Sequence, residues 1–284
     1  MKKISNDMNG FDPKPTRYPY PEYTDEHYLK IKKNDHRVFD ENYPFIDTSK
    51  SFLRKQSLIR ILLYTIVFPM TKIKLGLKIK GKENLKKYKN ILNKGVISIC
   101  NHVHLFDYLA IMSVIKPIKP YILTWAPNIR GENKKLVRLV GGIPIPEDNI
   151  KATLSYLNHI NKLLSSGGWL HIYCEGSMWE YYRPIRPFKK GAAYLACENN
   201  KPLMPFAFSY HKANWIRRKI FNQPATFTLN IGEPIYPNND LPKHKKEDEL
   251  TIRSHQIVCS LAGINPKDNI YPPLFNKTKK IIYY

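Results

Sequence analysis

His102 and Asp107, five positions apart in Asn101-His102-Val103-His104-Leu105-Phe106-Asp107, are residue types that can move a proton together. A carboxylate facing an imidazole accepts the proton of one ring nitrogen, fixes the tautomer and leaves the other nitrogen as a general base. The pair has no protein nucleophile beside it, which suggests that the attacking group belongs to a substrate. His-x4-Asp alone is common by chance, so the pair needs support from elsewhere in the chain. A second polar turn, Glu175-Gly176-Ser177, supplies a carboxylate to accept hydrogen bonds from a substrate or to orient the turn. Gly176 allows close backbone approach, and the Ser177 hydroxyl can bind or cap. Arg183, Arg186 and Lys189 follow as cations, and Gly191 opens a helical pattern whose start suits an anion.

These residues need strands to carry them. Val96, Ile97, Ile99 and Cys100 form an apolar run ahead of His102, and Trp169 to Cys174 forms another ahead of Glu175. From Gly76 onward such runs alternate with helical patterns. Strands are expected at Leu77–Lys80, Gly95–Asn101, Tyr121–Trp125, Trp169–Cys174, Leu203–Phe208 and Thr226–Ile231, with a short extended segment at Gly142–Pro146. Helices are expected at Asp107–Ile115, Lys134–Val140, Ile150–Leu164, Gly191–Glu198 and Glu247–Ala262. The alternation predicts an α/β fold, a mostly parallel central sheet flanked by helices. In such a sheet two strand ends can converge on one pocket.

Composition bounds the rest. Forty-three per cent hydrophobic residues in 284 is enough for a sizeable core and excludes disorder of the whole chain. Lys plus Arg outnumber Asp plus Glu by 46 to 23, a formal charge of +23, which draws the protein to nucleic acid, anionic lipid or phosphorylated co-substrates without choosing among them. Cys100, Cys174, Cys197 and Cys259 are widely spaced in apolar patterns and read as reduced core thiols in a cytosolic setting. Residues 1–50 read as an irregular Tyr- and Pro-rich arm strapped to the surface, with no apolar signal segment. Residues 51–75 are apolar and flanked by cations, fitting either a membrane-interface helix or a core helix. Leu58 to Met70 would span about 20 Å as a helix, short of the roughly 30 Å hydrocarbon core. Residues 76–284 form the remaining domain.

The ordered segments of residues 76–235 resemble the glycerolipid acyltransferase family, the lysophosphatidic acid acyltransferase-like (PlsC-type) group. Asn101-His102-x4-Asp107 is similar to its first motif (HX4D) and Gly141-Gly142-Ile143-Pro144-Ile145-Pro146 to its second. Glu175-Gly176-Ser177 with Pro187-Phe188-Lys189-Lys190-Gly191 resembles the third, and Pro202-Leu203-Met204-Pro205 the fourth. The resemblance implies a membrane-associated enzyme of phospholipid synthesis. His102 would deprotonate an acceptor hydroxyl, which attacks the thioester of acyl-CoA or acyl-carrier protein, while Asp107 orients the imidazole. The candidate substrate-binding residues are Gly142 and Ile143 in the second motif, Glu175, Gly176 and Ser177 in the third, and the nearby cations Arg183, Arg186 and Lys189. The expected partners are the acyl thioester as co-substrate, a lipid acceptor and an anionic membrane surface, with no metal or other cofactor. The resemblance also favours the docking role for residues 51–75, and hence a peripheral or monotopic protein on the cytoplasmic face of a membrane.

Two departures bear on the acceptor. Family members commonly carry Arg after the second motif and after Glu-Gly-Ser/Thr, positions associated with the acceptor phosphate; here they are Glu147 and Met178. The acceptor is then a lysolipid read by Arg183, Arg186 or Lys189, or a non-phosphate lipid such as a glycolipid. Two further readings compete. His102-x-His104-x2-Asp107 could be a metallohydrolase cluster, although no second close pair of ligands accompanies it. The charge and Trp215-Ile216-Arg217-Arg218-Lys219 would suit a nucleic-acid-binding protein, without any recognised binding motif.

Overall fold

A computed structural model describes residues 18–30, 38–115, 118–147 and 149–269. Seven strands, β1 (Lys78–Lys80), β2 (Val96–Cys100), β3 (Pro120–Thr124), β4 (Gly142–Pro144), β5 (Trp169–Tyr173), β6 (Leu203–Lys212) and β7 (Ala225–Ile231), form one sheet in the order β1-β7-β6-β2-β5-β3-β4. Strands β6, β2, β5, β3 and β4 run parallel. Strand β7 pairs antiparallel to β6 and carries β1 beside it, so this edge runs the other way. The expected mostly parallel α/β sheet is therefore present, with one reversal that apolar patterning does not encode.

The helices are α1 (Lys50–Leu62) and α2 (Phe68–Leu75), joined by a π-helical turn at Leu63–Val67, then α3 (Lys82–Lys87), α4 (Lys89–Leu92), α5 (Asp107–Ile115), α6 (Ala126–Arg130), α7 (Lys134–Leu139), α8 (Ile150–Ser165), α9 (Gly191–Asn199), α10 (Trp215–Phe221) and α11 (Lys243–Leu261). Strand alternation divides the core into two layers. Ile97 and Ile99 of β2 face a layer built with α8, α9 and α11, whereas Val96 and Cys100 face one built with α1, α2 and α5. In α8, Ala152, Tyr156, Ile160 and Leu164 repeat every four residues and are all buried. The Asn149 side chain starts that helix by accepting the Ala152 N–H at 3.0 Å.

Residues 50–75 make a single long helix with a π-turn where Pro69 removes a backbone donor. The Phe68 N–H reaches back to the Leu63 carbonyl. Leu63, Phe68 and Leu75 pack into the core, while Leu58, Ile61, Ile66, Met70 and Ile73 are exposed along the opposite face. The segment is both a core helix and an apolar surface, because it is hydrophobic on two sides. No helix among the described residues is long and apolar enough to cross a membrane.

Part of the arm, including Pro13 and Pro15, lies outside the described residues. What is described is anchored deeply: Tyr28, Phe39 and Phe45 are buried, Phe39 and Phe45 within the layer that holds α8.

Candidate active site

Strands β2 and β5 are in register with Cys100 opposite Tyr173, so the chain leaves both at one edge and the two polar turns meet. The turn after β2 is held from three directions. The buried Asn101 amide clamps β6: its oxygen accepts the Phe208 N–H at 2.8 Å and its nitrogen donates to the Phe208 carbonyl at 3.2 Å. Behind the other turn, the Trp179 N–H donates to the His102 carbonyl at 3.1 Å and the Tyr181 N–H to the Val103 carbonyl at 2.9 Å. From the start of α5, Asp107 Oδ2 accepts the N–H groups of Val103 and His104 at 3.0 and 3.3 Å.

That same oxygen lies 2.7 Å from His102 Nδ1. The Tyr173 hydroxyl donates to Asp107 Oδ1 at 2.6 Å, and the Tyr173 ring lies flat on the imidazole with centroids 3.7 Å apart and 7° between planes. Burial by itself would raise the Asp107 carboxyl. The neighbouring His102 and the hydrogen bonds from His102, Tyr173 and Val103 outweigh it and hold the group below its ordinary value. Tyr173 stays protonated, because burial and the adjacent carboxylate push its hydroxyl well up. His171, beneath Tyr173, is lowered to about 3 by burial and is neutral. The arrangement fixes His102 as the tautomer with Nδ1–H donated to Asp107, leaving Nε2 as the basic nitrogen.

His102 lines a cavity of about 340 Å³. Its wall is mostly apolar, with Ile122 of β3, Ile172 of β5, Tyr156 and Leu157 of α8 and Leu195 of α9. His27, Glu147 and Lys189 line its polar part. Among the residues expected to bind substrate, Gly176, Ser177 and Lys189 line the cavity. At Gly176 φ is +80°, a left-handed conformation that favours glycine, and the Lys189 side chain lies directly against its Cα.

The other candidates are placed differently. Arg186 is fully buried and its guanidinium is committed within the protein. Nε donates to Glu175 Oε2 at 2.9 Å, Nη1 to the Thr24 carbonyl at 3.1 Å and to Ser177 Oγ at 2.8 Å, and Nη2 to the Ser177 carbonyl. Its plane stacks over Trp179 at 4.4 Å. Glu175 is correspondingly a partner of Arg186 and a brace for the turn. Burial pushes its carboxyl up to about 6 while Arg186 and His102 pull the other way. Ser177 Oγ donates to the Glu26 carbonyl at 3.1 Å. Arg183 is buried outside the cavity lining, as are Gly142 and Ile143 in β4; Ile145 and Glu147, just beyond that strand, reach the cavity instead.

Three contributors escaped the sequence reading. Tyr173 ends β5 opposite Cys100, so pairing β2 with β5 would have pointed to it. Asn101 enters the sequence reading only as the first residue of the Asn101-His102-x4-Asp107 motif, with no role given to its side chain. His27 comes from the arm, stacked on Trp125 with centroids 3.8 Å apart and lowered to about 4 by burial and then by Lys189 and Arg186. Nothing local in sequence ties it to the site. The arm is held there by Glu26, whose carbonyl also accepts the Trp179 Nε1–H at 3.0 Å, and by the Tyr20 hydroxyl, which donates to the Glu180 carbonyl at 2.7 Å. His104 points elsewhere: its Nδ1 accepts the Phe106 N–H, and its ring packs against Tyr181 and Phe227. Among the described residues no group of three His, Cys, Asp or Glu side chains is placed to hold a metal ion.

Part of the chain is similar to known proteins. Residues 76–209 match the acyltransferase family. A curated 1-acyl-sn-glycerol-3-phosphate acyltransferase from Cocos nucifera is 26% identical over 148 residues, covering 50% of this chain and 46% of the relative. The chain thus matches about half the length of that relative. The crystal structure of the 1-acyl-sn-glycerophosphate acyltransferase PlsC from Thermotoga maritima aligns with a TM-score of 0.48 at 16% identity, over 76% of this chain and 84% of that one.

Proposed function

We propose, from the match of residues 76–209 to the acyltransferase family, that this protein moves a fatty acyl group from an acyl thioester to a lipid hydroxyl. The thioester is that of acyl-CoA or acyl-carrier protein, and the acceptor is a lysophospholipid or a related lipid. The observation that carries the reading is the His102–Asp107 pair at 2.7 Å, braced by Tyr173, on the wall of a largely apolar cavity.

Chemically, His102 Nε2 takes the proton of the acceptor hydroxyl as its oxygen attacks the thioester carbonyl carbon. Collapse of the tetrahedral intermediate breaks the C–S bond, and the imidazolium returns the proton to the departing thiolate. Asp107 keeps the tautomer correct and offsets the positive charge that forms on the ring. The apolar wall between β3, β5, α8 and α9 suits an acyl chain.

The exposed apolar face of residues 50–75, with Lys55, Lys72 and Lys74 also exposed, supports docking on an anionic membrane as a peripheral or monotopic protein. For the acceptor, Lys189 is the one of the three expected cations that lines the cavity, and it would meet a phosphate. A non-phosphate acceptor such as a glycolipid is the second reading, favoured by Glu147, which lines the cavity and pairs with Arg130 at 2.8 Å. Transfer of a labelled acyl group to a panel of phosphorylated and non-phosphorylated lysolipids separates the two. The central test is His102→Ala, expected to lower transfer by about 10²–10⁴-fold, the usual contribution of a positioned general base. Undiminished transfer would overturn the mechanism.

A further inference from the structure

The run Trp215-Ile216-Arg217-Arg218-Lys219 has no part in the chemistry above, yet the fold builds it into a defined surface element. Antiparallel strands such as β6 and β7 can be joined by two residues. Here the connection runs through residues 213–224 and holds α10. The helix is well framed: the Asn214 side chain caps it by accepting the Arg217 N–H at 2.9 Å, and Asn222 ends it in the left-handed conformation at φ +47°. The Ala213 N–H closes the neck of the excursion on the Pro224 carbonyl at 3.1 Å. None of its residues is buried. Trp215 and Ile220 are 66% and 67% exposed, and Ile216 and Phe221 are exposed beside them. Four large apolar side chains on one short helix, interleaved with the exposed cations Arg218 and Lys219, need an apolar partner bearing negative charge.

Location identifies that partner. Strand β6 runs parallel to β2, so α10 hangs from the same sheet edge as the His102 turn. Strands β7 and β1 run the other way, so β1 begins at that edge and the end of α2 arrives there too. Arg217 Nη1 donates to the Ile73 carbonyl at 2.5 Å, placing α10 against the last turn of α2, where a cation also complements the helix dipole. Lys74 Nζ sits 4.5 Å over the Phe106 ring, and Leu105 in the same catalytic turn is exposed. The exposed stripe from Leu58 to Ile73 therefore continues into α10 and passes the rim of the site.

We infer that α10 is a second membrane foot, inserting Trp215, Ile216, Ile220 and Phe221 into the interface of an anionic bilayer while Arg218 and Lys219 meet headgroup phosphates. The inference rests on the membrane reading of residues 50–75. Two feet at one sheet edge fix the orientation of the protein, which a single amphipathic helix, free to roll about its axis, does not. The His102 edge would then face the bilayer that supplies the acceptor.

Full-length protein with phosphatidylglycerol/phosphatidylcholine vesicles brominated along the acyl chains tests this. The four tryptophans are Trp125, Trp169, Trp179 and Trp215; Trp169 and Trp179 are buried, and Trp125, half-buried and stacked on His27, faces the cavity, so any quenching that persists in Trp215→Phe is its share. Quenching is expected in the wild type and lost in Trp215→Phe, which should still sediment with the vesicles. Arg218→Glu/Lys219→Glu should weaken partition at least tenfold. Sedimentation of the wild type with unquenched Trp215 would overturn the second foot and leave docking by residues 50–75 standing. Failure of the wild type to bind anionic vesicles would overturn both. A dimer formed without vesicles and abolished by Ile220→Ser would assign the face to a second copy. RNA binding lost in the double charge reversal, with vesicle partition unchanged, would assign it to nucleic acid; either result overturns the inference.

Discussion

The turn after β2 buries Asp107 but keeps His102 on the cavity wall, whereas the turn after β5 folds Glu175, Ser177 and Arg186 into one another. Both follow buried parallel strands, both carry a carboxylate and a candidate donor, and they lie side by side. The difference is the partner each carboxylate is given. In the first turn the carboxylate's partner is a histidine whose second nitrogen remains available. In the second it is an arginine whose guanidinium makes four hydrogen bonds, to Glu175, Ser177 and the arm. One turn keeps an imidazole nitrogen on the cavity wall, and the other holds the first in place.

Substitutions can break or sharpen that contrast. The 10²–10⁴-fold loss of transfer expected for His102→Ala should come with little change in thermal midpoint; a collapse of the fold would make the first turn structural as well. Arg186→Met should do the reverse. It leaves the Glu175 charge buried without its partner and should cost about 3–5 kcal/mol in denaturant unfolding, with Glu175→Gln/Arg186→Met recovering part of the loss. If Arg186→Met were as stable as wild type and selectively failed on phosphorylated acceptors, the second turn would be reading substrate after all.

Tyr173→Phe is a milder probe, since it keeps the stacked ring and removes the hydroxyl bound to Asp107 Oδ1. A hydrogen bond to a charged group is worth about 1.5–3 kcal/mol, so stability should fall by about that much and transfer by about tenfold. Equal activity would show that Asp107 needs no second brace.

The smallest effect is on pH dependence. Asp107 is held below its ordinary value, so the folded state binds fewer protons there than the unfolded chain. Its contribution to stability is fully present above the unfolded value of about 3.9 and is lost as pH falls through the folded one. The thermal midpoint of Asp107→Asn should lack that part of the acid dependence. An unchanged acid limb would place the responsible carboxylate elsewhere.

Some of this was legible before any coordinates. The β2, β5 and α8 patterns and the α/β class follow from residue type and periodicity, because local backbone preference and amphipathic spacing are short-range properties. His102 and Asp107 could be found because five residues are enough to encode a turn. Tyr173 needed the β2–β5 register, Arg186 needed knowledge that its ion pair would be dry, and His27 needed an arm to cross the molecule.

The reversal of β7 and the seat of α10 were equally out of reach, since nothing in an apolar run states which neighbour it will pair with. The sequence by itself determined which residues could do chemistry and which strands would deliver them. Only the tertiary structure decided which charges face the cavity and which face each other, because burial and partnership are set by contacts between segments far apart in the chain.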